Sequence, residues 1–224
     1  MSVEIGIVVT ARDEADRLAD TLSALAVAFP GATIVVADDG SRDGTWHVAL
    51  QAGADLVRAP RGIGKGGAAT LGLERLLARG VDRAVVLCDG DLGGSARQLP
   101  RLVAALDAGE GDLAVAAFAR RVGGGFGVAL GFARRAIERL TGLRLDAPIS
   151  GQRAMRPAVA RAVLPFASGF GMEIGMTVDA HRAGFRIVEV ELELEHRATG
   201  RTAAGFVHRA RQLLAFARVY ASRR

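Results

Sequence analysis

The chain has 224 residues, half of them hydrophobic, which suffices for one sizeable core. It carries a formal charge of +5, a sign that suits phosphate-bearing partners, but its aromatic content of 5 % leaves little for stacking on bases, so nucleic acid is not an expected partner. Its one cysteine, Cys88, excludes an intrachain disulfide and fits a reducing compartment.

Short β-branched runs alternate with amphipathic stretches through the first half. The first run, residues 4–9, follows a start with Glu4 and no basic leader, so no signal peptide is expected. "EADRLADTLSALAVAF" then places Leu18, Leu22, Leu25 and Phe29 at helical spacing. The longest uncharged stretch, residues 21–37, is broken by Pro30-Gly31 and falls short of the ~20 apolar residues of a membrane span. A cytoplasmic protein is expected. Further strands are predicted over 33–37, 55–58, 84–88 and 113–117, with helices in "GGAATLGLERLLARG" and "LPRLVAALDAG" that stop at Gly80 and Gly109. Such alternation, with strands apolar on both faces, predicts a mostly parallel sheet covered on both sides. Ligands bind such sheets at the carboxyl ends of the strands. The second half holds a glycine-rich "RRVGGGFGVALG", a helix to about Leu140, a turn "DAPISG" and a short strand "QRAM". A helix over residues 172–182, a strand "RIVEVELELEH" and a last helix from Ala204 complete it. Without a low-complexity linker or a repeat, one domain over 1–224 is expected.

Three of the loops after strands carry chemistry. "VVADDGSRDGT" doubles an aspartate, Asp38-Asp39, at a strand end; Ser41 or Asp43 could cap the next helix, which leaves the doubled Asp unexplained. "RGIGKGGA" opens a helix and holds the one lysine of the chain, Lys65, against 28 arginines. Its backbone N–H groups can face an anion with the helix dipole behind them, and Gly62, Gly64, Gly66 and Gly67 clear space for a compact ammonium. Gly66 follows the lysine, so this is not a Walker A loop, which needs Ser or Thr there. "VVLCDGDLGG" sets Asp89 and Asp91 two apart around Gly90, hard oxygen ligands suited to Mg2+ or Mn2+ against a diphosphate, though an Asp-Gly turn alone is common.

The Asp-Asp turn, the Gly-Lys-Gly loop and the Asp-x-Asp turn together resemble family-2 glycosyltransferases of the GT-A fold, an α/β architecture with helices on both faces of a central sheet. The resemblance is to glucosyl-3-phosphoglycerate synthases and to polyprenyl-phosphate glycosyltransferases. It implies a donor half over 1–119 that binds a nucleoside-diphosphate sugar, UDP- or GDP-linked, and an acceptor half over 120–224. On the donor side it implies Thr10, Ala11, Arg12 and Glu14 around the base, with Asp39 accepting a hydrogen bond from it. It further implies Gly64, Lys65, Asp89 and Gly90 along the diphosphate, and a metal held by Asp89, Asp91 and His196. Relatives usually show Asn-Glu where this chain has Asp13-Glu14, and Asp13 also reads as a helix cap. Mannosyl synthases often have a glutamine where this chain has Gly93. His196, after the alternating Glu191, Glu193 and Glu195, also reads as a surface residue.

On the acceptor side "DAPISGQRAMRP" resembles the polyprenyl-phosphate enzymes, with Gln152 in place of Phe, and implies Gly151, Gln152 and Arg153 at the acceptor. Arg153, Arg197 and Arg201 are expected to hold an anionic acceptor, a polyprenyl phosphate or a small phosphorylated acid. "ASGFGMEIGM" resembles the phosphoglycerate enzymes and makes Glu173 a catalytic carboxylate beside Asp91 and Arg153; a helix-terminal Glu steadied by the dipole is the alternative. Phe126-Gly127-Val128 follows three glycines where those enzymes have Arg-Val-Thr, which leaves the acceptor open. In the last helix Phe206, Ala210, Leu213, Leu214 and Ala217 share a face, with His208, Arg209, Arg211 and Arg218 around the rest. Such a helix docks on its own domain or lies on an anionic bilayer. A homodimer is compatible with the sequence. Two rivals are a sugar-phosphate nucleotidyltransferase, whose glycine signature after the first strand is absent from "TARDEAD", and a catalytically silent nucleotide-sugar sensor.

Overall fold

The computed structural model describes residues 3–118, 128–194 and 214–224. Seven strands form one sheet in the order β3-β2-β1-β4-β6-β5-β7. They are β1 (Val3–Ala11), β2 (Thr33–Asp38), β3 (Asp55–Arg58), β4 (Val81–Asp89), β5 (Leu113–Phe118), β6 (Arg153–Met155) and β7 (Ile187–Leu192). The helices are α1 (Leu18–Ala28), α2 (Thr45–Gln51), α3 (Lys65–Leu77), α4 (Pro100–Asp107), α5 (Val128–Thr141), α6 (Pro157–Ala162), α7 (Met172–Arg182) and, at the end, α8 over 214–222.

The central strands are apolar on both faces because both are covered. Ile7, Val9, Val86 and Cys88 face Leu18, Leu22 and Leu25 of α1 and Leu102 and Leu106 of α4. Val8, Val35, Val85 and Leu87 face Leu73 and Leu76 of α3, Val159 of α6 and Met172 and Met176 of α7. Period-two alternation in one strand thus feeds two separate cores.

A third cluster lies off the sheet. Ala133 and Ile137 of α5, Ile174 and Val178 of α7, and Phe216 and Val219 of α8 pack together. This explains the one reversed strand. Since α5 packs on α7 and not across the sheet, the chain returns from the rim where β5 ended, and β6 runs antiparallel between β4 and β5. A parallel β6 would need a crossover over the sheet face. The predicted face of the last helix is corrected within its described residues: Phe216 and Val219 dock, while Leu214 (59 % exposed) and Ala217 point outward.

All six parallel strands end at one rim, and β6 begins there. Register aligns Thr10 of β1 with Asp89 of β4 on one side and Ala37 of β2 on the other. The loops singled out in the sequence therefore meet.

Candidate active site

Asp89, the last residue of β4, is the hub. Its Oδ1 accepts a hydrogen bond from Thr10 Oγ1 at 3.1 Å and faces Lys65 Nζ at 2.7 Å; its Oδ2 accepts from Gln152 Nε2 at 3.2 Å. Burial pushes its carboxyl upward, but the Lys65 charge and the three hydrogen bonds outweigh burial and hold it below the ordinary aspartate range. The turn beyond is pinned from two sides. Gly90 N donates to Thr10 O, and Thr21 Oγ1 of α1 both donates to Gly90 O and accepts from Gly93 N. Thr21 escaped the sequence reading. Its signal is a buried hydroxyl on a helix stripe otherwise made of Leu18, Leu22 and Leu25.

Asp91 stands on this turn half-buried, and no other residue among those described gives it a side-chain hydrogen bond or ion pair. Burial, then the neighbouring Asp89 charge, raises its carboxyl above the ordinary value.

Lys65 opens α3 and bridges two carboxylates, Asp89 at 2.7 Å and Glu173 Oε1 of α7 at 3.0 Å. Burial opposes its charge, yet the two anions more than compensate and hold the ammonium well above its usual range. Gly151 makes room for the pair: a Cβ there would lie 2.4 Å from Lys65 Nζ and 2.7 Å from Asp89 Oδ2. Gly66 serves a similar purpose, since its Cβ would fall 1.9 Å from the Ala167 carbonyl oxygen. The glycine-rich loop and the segment leading into α7 thus touch backbone to backbone. Thr70 fastens them, accepting from Phe166 N and donating to Gly66 O. Glu173 lies in the first turn of α7, so the helix-terminal and the site readings both describe its position.

Both carboxylates of the turn after β2 are ion-paired within the protein. Asp39, 5 % exposed, accepts Ile63 N at 2.6 Å and Gly64 N at 2.9 Å on Oδ1 and pairs with Arg12 Nη1 at 3.1 Å through Oδ2. The anion met by those loop N–H groups is therefore the protein's own Asp39. Asp38 pairs with Arg58 at 3.0 Å and accepts Ser41 N at 2.9 Å. Of the two candidate caps, Asp43 is the one that accepts Thr45 N at the start of α2. Asp13 caps no helix: with φ of 55° it accepts Arg42 N, while its own N–H meets Ser41 Oγ. Glu14 N donates to Thr45 Oγ1, and Ala11 O accepts from Asp39 N, so the ends of β1 and β2 form one clasp.

Arg153 departs from expectation. It is wholly buried, with Nε on Ser150 O, Nη2 on Pro148 O and Nη1 on Thr177 Oγ1, all between 2.9 and 3.0 Å. Burial lowers its pKa to about 10, which leaves it charged at neutral pH. A guanidinium so enclosed braces the 148–151 turn against α7, and direct contact with an acceptor is corrected on that ground. Gln152, also read as acceptor-binding, has its amide nitrogen on Asp89. His196, Arg197 and Arg201 lie outside the described residues. A cavity of about 720 Å³ beside Phe132, Arg135, Arg139 and Tyr220 is lined by none of the candidate residues.

These donors suit a hard divalent cation. They are oxygens, and among the described residues the Asp91 carboxylate forms no ion pair, although the Lys65 and Arg17 charges reach it. Among the described residues no cluster of three acidic, His or Cys side chains forms a closed cage. Magnesium sites of this kind use one or two carboxylates and leave positions to phosphate and water.

Comparison with known proteins identifies the family and the fold. A profile described as glycosyl transferase family 2 matches residues 6–161. The chain is 33 % identical to undecaprenyl-phosphate mannosyltransferase of Micrococcus luteus over 84 % of its length and 82 % of that protein's. It is also 33 % identical to glucosyl-3-phosphoglycerate synthase of Mycolicibacterium paratuberculosis, over 86 % of its length and 65 % of that protein's. The structure resembles the Mycobacterium tuberculosis glucosyl-3-phosphoglycerate synthase in complex with Mn2+, UDP and glucosyl-3-phosphoglycerate, with a TM-score of 0.76 at 27 % identity over 99 % of this chain and 80 % of that one. The same enzyme with Mg2+ and UDP gives a TM-score of 0.79 at 27 % identity, covering 99 % and 79 %.

Proposed function

The chain belongs to glycosyl transferase family 2, and on that premise we propose that it transfers a hexose from a nucleoside-diphosphate sugar to a phosphate-bearing acceptor with the aid of Mg2+ or Mn2+. The fold is the GT-A arrangement of such enzymes. The observation that carries the reading is the meeting of Asp89, Asp91 and Lys65 at one rim, with one carboxylate left unpaired.

In this reading Asp91, with Asp89 beside it, would hold the cation. The cation, when bound, offsets the charge that develops on the departing diphosphate. Lys65 contributes to the same task. An ammonium has three N–H donors, and Asp89 and Glu173 face two, which leaves one for a phosphate oxygen. Asp39 acts by fixing the loop: its grip on Ile63 and Gly64 sets where Lys65 begins its helix. Arg12, drawn to Asp39 but half-exposed, borders the base pocket together with Thr10, Ala11 and Glu14. Arg153 is a positioning residue for Gly151 and Gln152, and Glu173, tied to Lys65, links the acceptor side to the donor side.

Both curated relatives carry a phosphate-bearing compound in their names, and where a phosphate oxygen itself attacks no strong base is needed. A hydroxyl acceptor would turn to Glu173. The chain leaves β7 at the site's rim, which favours His196 as a third metal ligand and Arg197 and Arg201 as acceptor contacts. No helix among the described residues is long and apolar enough to cross a membrane. Peripheral contact through α8, whose outward face carries Leu214, Ala217 and Arg218, is part of the proposal for a lipid-phosphate acceptor at the cytoplasmic surface.

Calorimetry with UDP- and GDP-sugars, with and without Mn2+, tests the reading. Cation-dependent donor binding is expected, lost in Asp91→Ala. Binding that ignores the cation, with neither transfer nor hydrolysis, would identify a nucleotide-sugar sensor instead.

A further inference from the structure

Gln152 is 97 % buried at the start of β6, and only one end of its amide is matched. Its Nε2 lies 3.2 Å from Asp89 Oδ2. The amide cannot be turned over, because its carbonyl would then face a carboxylate, acceptor against acceptor. Oε1 is thereby directed away from Asp89, and among the described residues it has no hydrogen-bond donor. Buried acceptors are almost always matched in folded proteins. A methionine or leucine would fill the same space without leaving one open.

The surroundings indicate what supplies the missing donor. The Asp89 carboxylate is bonded to the glutamine, and the Asp91 carboxylate, two residues further along the same turn, forms no ion pair among the described residues. Such a site attracts a cation, and a hard divalent cation brings bound waters, which are strong donors. Partners one shell out from a metal commonly orient its ligands in this manner.

We propose that Gln152 is a positioning residue of the cation site, its amide N–H fixing the Asp89 carboxylate and its amide oxygen accepting a hydrogen bond from a cation-bound water. The proposal rests on the cation-dependent reading above. It moves Gln152 from the acceptor side, where the sequence suggested it, to the donor side.

Calorimetry with Mn2+ as the probe, on the full chain in the presence of UDP, tests it. Gln152→Met keeps the length and removes both polar ends; it is expected to bind Mn2+ about 10-fold more weakly than the parent. Gln152→Glu keeps an acceptor oxygen and adds negative charge but loses the N–H that faces Asp89, and is expected to bind Mn2+ more tightly than the Met variant. A glutamine with a purely structural part would lower both melting temperatures and leave both Mn2+ affinities at the parent value, which overturns the proposal. Should the Met variant fail to fold, Gln152→Leu takes its place, and a parent-like Mn2+ affinity in that variant overturns the proposal. Mn2+ binding by the parent with an unchanged Met variant sinks only this inference. A parent that binds no Mn2+ sinks the functional reading as well.

Discussion

The turns after β2 and β4 flank β1 on opposite sides, and each has a pair of aspartates at the strand end, Asp38 and Asp39 in one, Asp89 and Asp91 in the other. In the first, both carboxylates are enclosed and matched: Asp38 by Arg58 and Ser41, Asp39 by Arg12, Ile63 and Gly64. In the second, Asp89 is matched by Thr10, Gln152 and Lys65, while Asp91 has no such partner and a raised pKa. The same residue type at equivalent places in the sheet thus serves two ends. One turn is architecture that sets the shape of the glycine-rich loop before Lys65. The other keeps an anion unmatched, at a cost in stability that only a ligand can offset.

Lys65 joins the two turns, and its loss should do the most damage. Lys65→Ala leaves Asp89 and Glu173 facing each other, and removal of one partner from a buried ion pair typically costs about 3–5 kcal/mol. With Lys65 part-exposed, the lower end is expected from denaturant unfolding. The same variant should weaken nucleoside diphosphate more than nucleoside; equal losses would remove the lysine from the phosphates. Next comes Asp91→Asn, expected to weaken Mn2+-dependent UDP binding by about 100-fold or more, since even outer-shell changes reach ~100-fold. Its melting temperature should hold or rise, because a buried, repelled charge disappears. Asp39→Ala is the mirror case. It strands two loop N–H groups and should cost about 1–3 kcal/mol, a fall of roughly 2–4 °C per kcal/mol in a scan. If Asp39→Ala melted normally while Asp91→Asn unfolded, the two turns would have exchanged roles.

The smallest effect is in the pH dependence. A carboxyl raised in the folded state stabilises the fold below its unfolded pKa and loses that contribution as pH rises through the folded value. Asp91→Asn should therefore remove a decline in stability that the parent shows as pH rises from about 4 towards neutrality. Asp89, held low, contributes the opposite sign: its stabilisation is present at neutral pH and fades in acid. Urea unfolding of the two proteins across this range reads the difference.

The strands were legible because Ile7, Val8 and Val9, or Val85, Val86 and Leu87, are apolar without a break, a pattern that follows from cover on both faces. The meeting of Lys65 with Asp89 was legible too, since loops after parallel strands share a rim. What escaped were facts set by distant packing. The direction of β6 depends on α5 lying against α7 and α8. The docking face of α8 is chosen by Phe216 and Val219 fitting that cluster. A charged residue's name does not tell whether its partners are solvent or protein: Arg153 and Asp39 look like substrate contacts in the sequence, yet their groups are enclosed by carbonyls and N–H donors from segments up to 25 residues away.

A chain with one lysine has one side-chain amine. Amine-directed reagents, reductive methylation or acylation, accordingly read out the ion pairs of Lys65 with Asp89 and Glu173 with no background from other side chains. Held between two carboxylates, that amine should resist labelling, and any compound that loosens the pair should expose it. The chain thus carries a built-in chemical reporter at its own centre, where a richer lysine content would have hidden the signal.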